Sequence, residues 1–446
     1  MLLSRSLSLS TLATSPAARW TLAACALASL LLLFASVASD YGPPRLFRAA
    51  PPPARPAFQP GSHVGEPSSQ ALQAWVKPAG LRIVGLVFYG RAEFVKVLDC
   101  YLKRNLVDNG GLLDEVIFSV HTDKQPDLDY LDELLATTPR YTRFESTEPY
   151  EGFSFVGTWG AVKRGNLYIK IDDDVLYFED DAIAALSKRM IENPQYFAVS
   201  ANSVNNPALS WIHYGLGVYE PYLPELTPPP NPSHQPQSWR ASELPHWTGP
   251  PSFIFNGSQP APFPGHRWLP LPHRTFNTPH ASPPGRDISD TPAGALTYDA
   301  FGPSWRDWAV AAQTHYSFLH HLERGELWRY KFNLWDYHYY RLSINFIAFW
   351  GDDIVDAMPF PTGDDEEYLT RAKPRELGRH VVVDGTAISV HFAFSPQRKL
   401  DDADAPGGLY HTDLLARYKA YAEEEVCPHP RRPGSKAKAK GKGAFW

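Results

Sequence analysis

Residues 167–178 read Leu-Tyr-Ile-Lys-Ile-Asp-Asp-Asp-Val-Leu-Tyr-Phe, and the expected fold follows from how this stretch is read. Leu167 to Ile171 is rich in β-branched and aromatic side chains, the composition of a buried strand. Asp172, Asp173 and Asp174 follow, and then a second apolar run from Val175 to Phe178. Unpaired charge is too costly to pack into a core, so the acids are expected at a strand end, facing solvent or a cation. On an extended backbone Asp172 and Asp174 point to one side. Two hard oxygen ligands on one side suit Mg2+ or Mn2+, whose shells are completed by water and substrate phosphate. The alternative is a solvated acidic turn leading into a helix over 180–192.

Upstream, Leu81-Arg-Ile-Val-Gly-Leu-Val-Phe-Tyr89 is a continuous apolar run, as in a parallel sheet covered on both faces. A helical pattern covers 92–105. Glu115 to His121 reads as a second strand, 128–135 as a second helix, 140–145 as a third strand, and 157–164 as a short helix. Alternating strands and helices imply a parallel α/β sheet, which binds ligands beyond the carboxyl ends of its strands. Tyr89, Gly90, Arg91, His121, Thr122 and the Asp172 cluster all fall at such ends and should gather on one edge. Lys163 or Lys170 could hold phosphate there, with Lys170 expected to face away. Downstream, 196–200 is a strand, with Asn202, Asn205 and Asn206 in a loop after it. Trp305 to Leu327 is helical, Ser343 to Trp350 is a buried strand or helix, and 381–394 is a hairpin turning at Gly385.

The chain has 446 residues and a net charge of −6, which gives no sign of a nucleic-acid partner. It contains 43 prolines, nearly twice the average share of about 5%. Close to half of them lie in 221–300, expected to be an ordered but irregular insertion. There Trp239, Trp247 and Trp268 are stacking candidates, and a disordered linker is the alternative. Residues 20–39 carry no charge and are long enough for a spanning helix. Arg5 and Arg19 precede them, so the N-terminus should stay cytoplasmic. A cleaved signal peptide is the rival, but the 19-residue leader favours an uncleaved anchor. The expected order is a tail over 1–19, an anchor over 20–39, a Pro-rich stem over 40–80, a folded domain over 81–427 and a basic disordered tail over 428–446. Cys100 and Cys427 either pair in an oxidising lumen or remain free thiols. Asn256-Gly257-Ser258 is a glycosylation sequon.

Ile-Lys-Ile-Asp-Asp-Asp-Val-Leu-Tyr resembles the DxD segment of metal-dependent glycosyltransferases of the GT-A fold. The resemblance implies a GT-A-like, Rossmann-type mixed sheet flanked by helices, and a Golgi or ER type II membrane protein with a lumenal catalytic domain. It implies a nucleotide-sugar donor, a carbohydrate or glycoconjugate acceptor, and Mn2+ or Mg2+ held against the donor diphosphate. Asp172 and Asp174 would be metal ligands, Asp174 directly, and His391 in Ser-Val-His-Phe-Ala-Phe would be the third. A hairpin histidine bonded to a neighbour is the plainer reading of His391. Tyr89, Arg91, His121, Lys163, Asp172 and Asp173 would line the donor site. An inverting enzyme of this kind places a carboxylate base at a helix start after the DxD, which points to Asp365 and then Glu366. Helix capping is the plainer reading of those acids. Outside the DxD region, Leu342-Ser-Ile-Asn-Phe-Ile-Ala-Phe-Trp-Gly-Asp-Asp and Arg379-His-Val-Val-Val-Asp-Gly look similar to uncharacterised fungal glycosyltransferase-like proteins.

Two other readings stand beside this one. Asp172-Asp-Asp174-Val-Leu also fits the strand-end motif of haloacid-dehalogenase-type phosphatases, with Asp172 as nucleophile and Gly351-Asp352-Asp353-Ile-Val-Asp356 as the acidic Mg2+ motif. The third is a non-catalytic lumenal carbohydrate-binding protein that uses the tryptophans.

Overall fold

The chain divides into two units, Met1–Val64 and Gly65–Trp446. The computed structural model describes residues 75–146, 155–229, 238–272, 287–361, 363–398 and 408–427, all in the second unit. The expected anchor over 20–39, most of the stem and the basic tail lie outside the described residues. Among the described residues, no helix is long and apolar enough to cross a membrane. The folded body begins a little before Leu81. Trp75 packs on the core, and Lys77 Nζ lies 2.8 Å from Asp114 Oδ2.

The main elements, in chain order, are β1 (Arg82–Tyr89), α1 (Ala92–Asn105), β2 (Glu115–Val120), α2 (Gln125–Leu135), β3 (Tyr141–Glu145), β4 (Asn166–Asp172), β5 (Val175–Phe178), α3 (Ala182–Glu192), β6 (Tyr196–Val204) and α4 (Pro207–Gly215). Then come β7 (Tyr222–Pro224), β8 (Trp268–Pro270), α5 (Trp308–Arg324), β9 (Leu334–Asp336), β10 (Phe346–Trp350), α6 (Gly351–Ala357), β11 (His380–His391) and α7 (Leu414–Tyr421). The large mixed sheet runs β3-β2-β1-β4-β10-β6-β11-β5, with β9 also on β11. Strands β1 to β4 are parallel to one another. β10 is wedged antiparallel between β4 and β6.

Side chains along β1 alternate between two cores, as the period of two requires. Ile83, Val87 and Tyr89 join the core beneath α1, α3, α5 and α7. Val84, Leu86 and Phe88 join the one beneath α4 and α6. A sheet covered on both faces needs continuous apolar runs, and β1, β4 and β10 supply them.

Three expected elements differ. The stretch expected as a helix over 157–164 is a 3₁₀ turn, Val156–Ala161. Asn202 belongs to β6, and Asn206 caps α4 by accepting from Ala208 N at 3.2 Å. The expected hairpin over 381–394 is one strand, β11, with an irregularity between Asp384 and Ile388. Gly385 is not a turn. It lets Phe332 approach so closely that a Cβ would lie 2.3 Å from that ring, the role of a strand glycine at a bulge.

The described parts of 221–300 form a small β7-β8 sheet and short 3₁₀ turns. Trp239, Trp247 and Trp268 are buried there rather than displayed. Trp268 meets Trp308 of α5 edge-on, with ring centroids 6.1 Å apart, and Trp247 Nε1 donates to Pro224 O at 3.1 Å. These tryptophans anchor the insertion and offer no stacking platform. Cys100 and Cys427 form a disulfide with Cα atoms 4.8 Å apart, tying α1 to the end of the described chain.

Candidate active site

The strand β4 ends at Asp172, and Asp173 and Asp174 turn the chain into β5. That turn crosses from the middle of the sheet to its edge strand, where Phe392 N donates to Asp174 O at 2.9 Å. His391, the last residue of β11, is thereby set beside both outer acids. Its Nε2 lies 3.2 Å from Asp174 Oδ1 and 3.9 Å from Asp172 Oδ2. One ligand atom from each of Asp172, Asp174 and His391 falls within 4.8 Å of the others.

Asp173 does a different job. It accepts from Gly90 N at 3.1 Å and from Arg91 Nε at 3.1 Å. A side chain at Gly90 would press on it, since a Cβ there would lie 3.3 Å from Asp173 Oδ2. Asp173 thus locks the end of β1 to the Asp172–Asp174 turn and is not free to meet a ligand. Arg91 Nη2 also reaches Asp174 Oδ2 at 3.0 Å, and Arg398 Nη2 lies 3.8 Å from the same atom. Burial works against the Asp174 charge, but Arg91, His391 and Arg398 hold its pKa well below the ordinary carboxylate value. Both Asp174 carboxylate oxygens and His391 Nδ1 are buried without a well-formed hydrogen bond. Such atoms call for a partner, and two carboxylates with one imidazole make a donor set that fits Mn2+ or Mg2+.

Lys170 shares a face with Asp172, because residues two apart on a strand point the same way. The expectation that it faces away is therefore corrected. Its buried ammonium pairs with Asp172, donates to Ile344 O at 2.9 Å, and stands 4.6 Å from the centre of the Phe88 ring.

A cavity of about 520 Å³ opens on this face, with Asp365, Glu366 and Arg341 on one wall and Phe301, Trp305 and Phe394 among the rest. It adjoins the acid–histidine group through Phe394, whose ring centroid is 4.4 Å from that of His391. Asp365 opens a short helix capped by Asp364. It is buried and accepts from Trp159 Nε1 at 2.8 Å. Burial pushes its pKa up, while Lys170 and the Trp159 N–H hold it back. Burial pushes Glu366 up to about 7, against the pull of Arg341, whose Nε lies 2.8 Å from Glu366 Oε1.

Two other expected donor-site residues, Lys163 and Tyr89, lie elsewhere, while His121 borders the cavity. Lys163 is exposed at the start of β4, the end of the strand opposite Asp172, because a seven-residue strand separates the two by roughly 20 Å. Tyr89 is buried in the core and its hydroxyl donates to Asp127 O. His121 stacks on Phe155, a cavity residue, at 4.2 Å, and burial lowers its pKa to about 4. The acidic motif of the phosphatase reading is also at the wrong end. Asp352 Oδ2 accepts from Gly165 N at 2.9 Å and Asp356 pairs with Arg164, so neither approaches Asp172.

The sequence reading gave no role to Asn345, Arg341, Phe394 or Arg398. Asn345 lies in the quoted Ser-Ile-Asn-Phe string, but only the antiparallel entry of β10 brings it to Asp172. Beneath β11, His315 Nε2 donates to Phe392 O at 2.9 Å, and its Nδ1 accepts from the Tyr418 hydroxyl at 2.9 Å. Burial holds it neutral, with a pKa of about 4.

No protein-family model matches the chain, and no curated protein matches it. Among solved structures it is similar to a CMP:2-keto-3-deoxy-manno-octonic acid synthetase complexed with CTP, at 10% identity and a TM-score of 0.27, over 70% of this chain and 89% of that one. It is also similar to 4-diphosphocytidyl-2C-methyl-D-erythritol synthase from Anaerococcus prevotii DSM 20548, at 13% identity and a TM-score of 0.22, over 27% of this chain. The chain spans 55% of the length of that second protein. At these scores the likenesses carry no argument about chemistry.

Proposed function

We propose that the protein is a divalent-metal-dependent glycosyltransferase that moves a sugar from a nucleotide-sugar donor to a hydroxyl of a carbohydrate or glycoconjugate acceptor. The observation that supports this most directly is the gathering of Asp172, Asp174 and His391 within 4.8 Å, beside an acid-walled cavity. A cation held by these three residues would neutralise the diphosphate that leaves. Asn345 and Lys170 orient Asp172. Arg91 and Arg398 balance Asp174 and offer donors to phosphate oxygens.

Asp365 is the proposed base. It shares the field of Lys170 and Asp172, whereas Glu366 is engaged by Arg341. Asp365 takes the acceptor hydroxyl proton, the oxygen bonds to the anomeric carbon, and the bond from that carbon to the diphosphate breaks. The Cys100–Cys427 disulfide and the exposed sequon at Asn256 favour a lumenal site of action, where residues 20–39 would anchor the chain in the Golgi or ER membrane.

The test is a thermal-shift screen of the full chain against nucleoside diphosphates, with Mn2+ and with EDTA. Stabilisation by one nucleotide that needs Mn2+ and disappears in Asp174→Asn supports the reading. At a hundredfold excess over Kd the expected gain is about 2.7 kcal/mol. No response to any nucleotide overturns the donor site.

A further inference from the structure

The far end of β11 carries a second group of ligand-bearing side chains. Asp336 closes β9, His338 follows two residues later, and His380 opens β11. β9 lies antiparallel on β11, with Asp336 opposite Val382, which brings His380 Nδ1 to 2.6 Å from Asp336 Oδ2. His338 Nδ1 lies 3.5 Å from Asp336 Oδ1. One ligand atom from each residue falls within 4.8 Å of the other two.

The backbone is shaped to present His338. Its φ is 52°, in the left-handed region that favours glycine. Its N–H donates to Asp336 Oδ1 at 2.8 Å, which closes the turn. The His338 and His380 rings meet edge-on at 5.1 Å, and Tyr339 backs His380 at 5.0 Å. Side-chain exposures of 60% for His338, 36% for Asp336 and 32% for His380 leave the group open to an entering ion.

We propose that Asp336, His338 and His380 form a second metal site, selective for an imidazole-preferring divalent cation of the Zn2+ class. Two imidazoles and one carboxylate suit such an ion, with a fourth position left to water. The Asp172–Asp174–His391 group is richer in oxygen and suits a harder ion. Tetrahedral bonds of about 2.0–2.1 Å put ligand atoms roughly 3.3 Å apart. The two imidazoles approach different Asp336 oxygens, His338 at 3.5 Å from Oδ1 and His380 at 2.6 Å from Oδ2. With all three ligand atoms within 4.8 Å, the side chains would close on one ion by shifts on the order of 1 Å. The site pins the connection from β9 to β10, which carries Arg341 to the cavity and Asn345 to Asp172. It does not depend on the proposed glycosyl transfer.

The test is titration of the full chain with Zn2+ and Co2+ in an Asp174→Asn, His320→Ala background, which disables both the Asp172–Asp174–His391 group and the third such cluster, Glu220, His320 and His321. One equivalent of Zn2+, and the intense visible absorption of four-coordinate Co2+, are expected. His338→Gly removes the imidazole at a φ that glycine accepts and should weaken binding at least tenfold. His380→Ala should do the same, and a melt without metal checks that each variant folds. Absence of stoichiometric binding in the Asp174→Asn, His320→Ala protein, or equal affinity in His338→Gly, overturns the site. Failure of the nucleotide screen would leave this result untouched.

Discussion

Asn345 Nδ2 donates to Asp172 Oδ2 at 2.9 Å, and the Asn345 carbonyl accepts from Asp172 N at the same distance. Asn345 itself is held by Asn206, whose Nδ2 donates to Asn345 Oδ1 at 3.1 Å. One side chain from the antiparallel strand thus fixes the carboxylate that opens the acidic turn. Partners behind a metal ligand usually govern affinity by roughly 10–100-fold. Asn345→Ala is expected to weaken Mn2+ binding by that factor without unfolding the protein, as calorimetric titration would measure. Unchanged affinity would remove Asp172 from the ligand set.

Asp365→Asn should lower kcat by roughly 10²–10⁴-fold, the usual contribution of a positioned base, while KM for the donor stays the same. Glu366→Gln should cost much less. Steady-state kinetics on the two variants decides between them, and the opposite ranking would give Glu366 the base role.

The pH dependence of stability carries a sign. Glu366 is pushed up from 4.5 to about 7 in the folded protein. Between those values the folded state keeps a proton that the unfolded state has released, so Glu366 destabilises the fold as pH rises through the window. Glu366→Gln has no proton to lose. Its Tm relative to the parent should therefore climb from pH 4 to pH 8, and a flat difference in paired melts would contradict the assignment.

The disulfide joins residues 327 apart. Cys100→Ser is expected to lower stability by roughly 2–5 kcal/mol in denaturant unfolding.

Asn256 is exposed, and its Oδ1 accepts from Ser258 N at 3.0 Å. Expressed through the secretory pathway, the protein should carry a glycan there. Asn256→Gln should then migrate faster on a gel, with no further shift from this site after glycosidase treatment.

What was legible in the sequence was local. The continuous apolar runs of β1 and β4 announce strands regardless of what lies elsewhere. The step from Ile171 to Asp172 marks a strand end, because a core cannot take unpaired charge. That Asp173 and Asp174 are buried, paired with Arg91, was not legible. The parts that were not legible depend on distant partners. Nothing near Phe346 says that β10 enters antiparallel beside β4. Gly385 looks like a turn glycine, yet it serves the close approach of Phe332, a partner fifty-three positions upstream. Tryptophan content suggested open stacking surfaces, but Trp239, Trp247 and Trp268 fill space against α5 and its neighbours. Lys163 is only nine residues from Asp172, yet a strand laid between them separates them as fully as the sheet allows.

His315 accepts from the hydroxyl of Tyr418 on one side and donates to the Phe392 carbonyl on the other. The peptide it holds directly follows His391. Helix α7 is therefore a structural support of the acid–histidine group, although more than two hundred residues separate it from the Asp172–Asp174 turn. An early stop codon ahead of Tyr418 would leave every acid of that group in the chain and still remove the brace behind its histidine. Any trimmed version of this protein made for crystallisation or assay should keep the chain through Cys427, which retains both the brace and the disulfide.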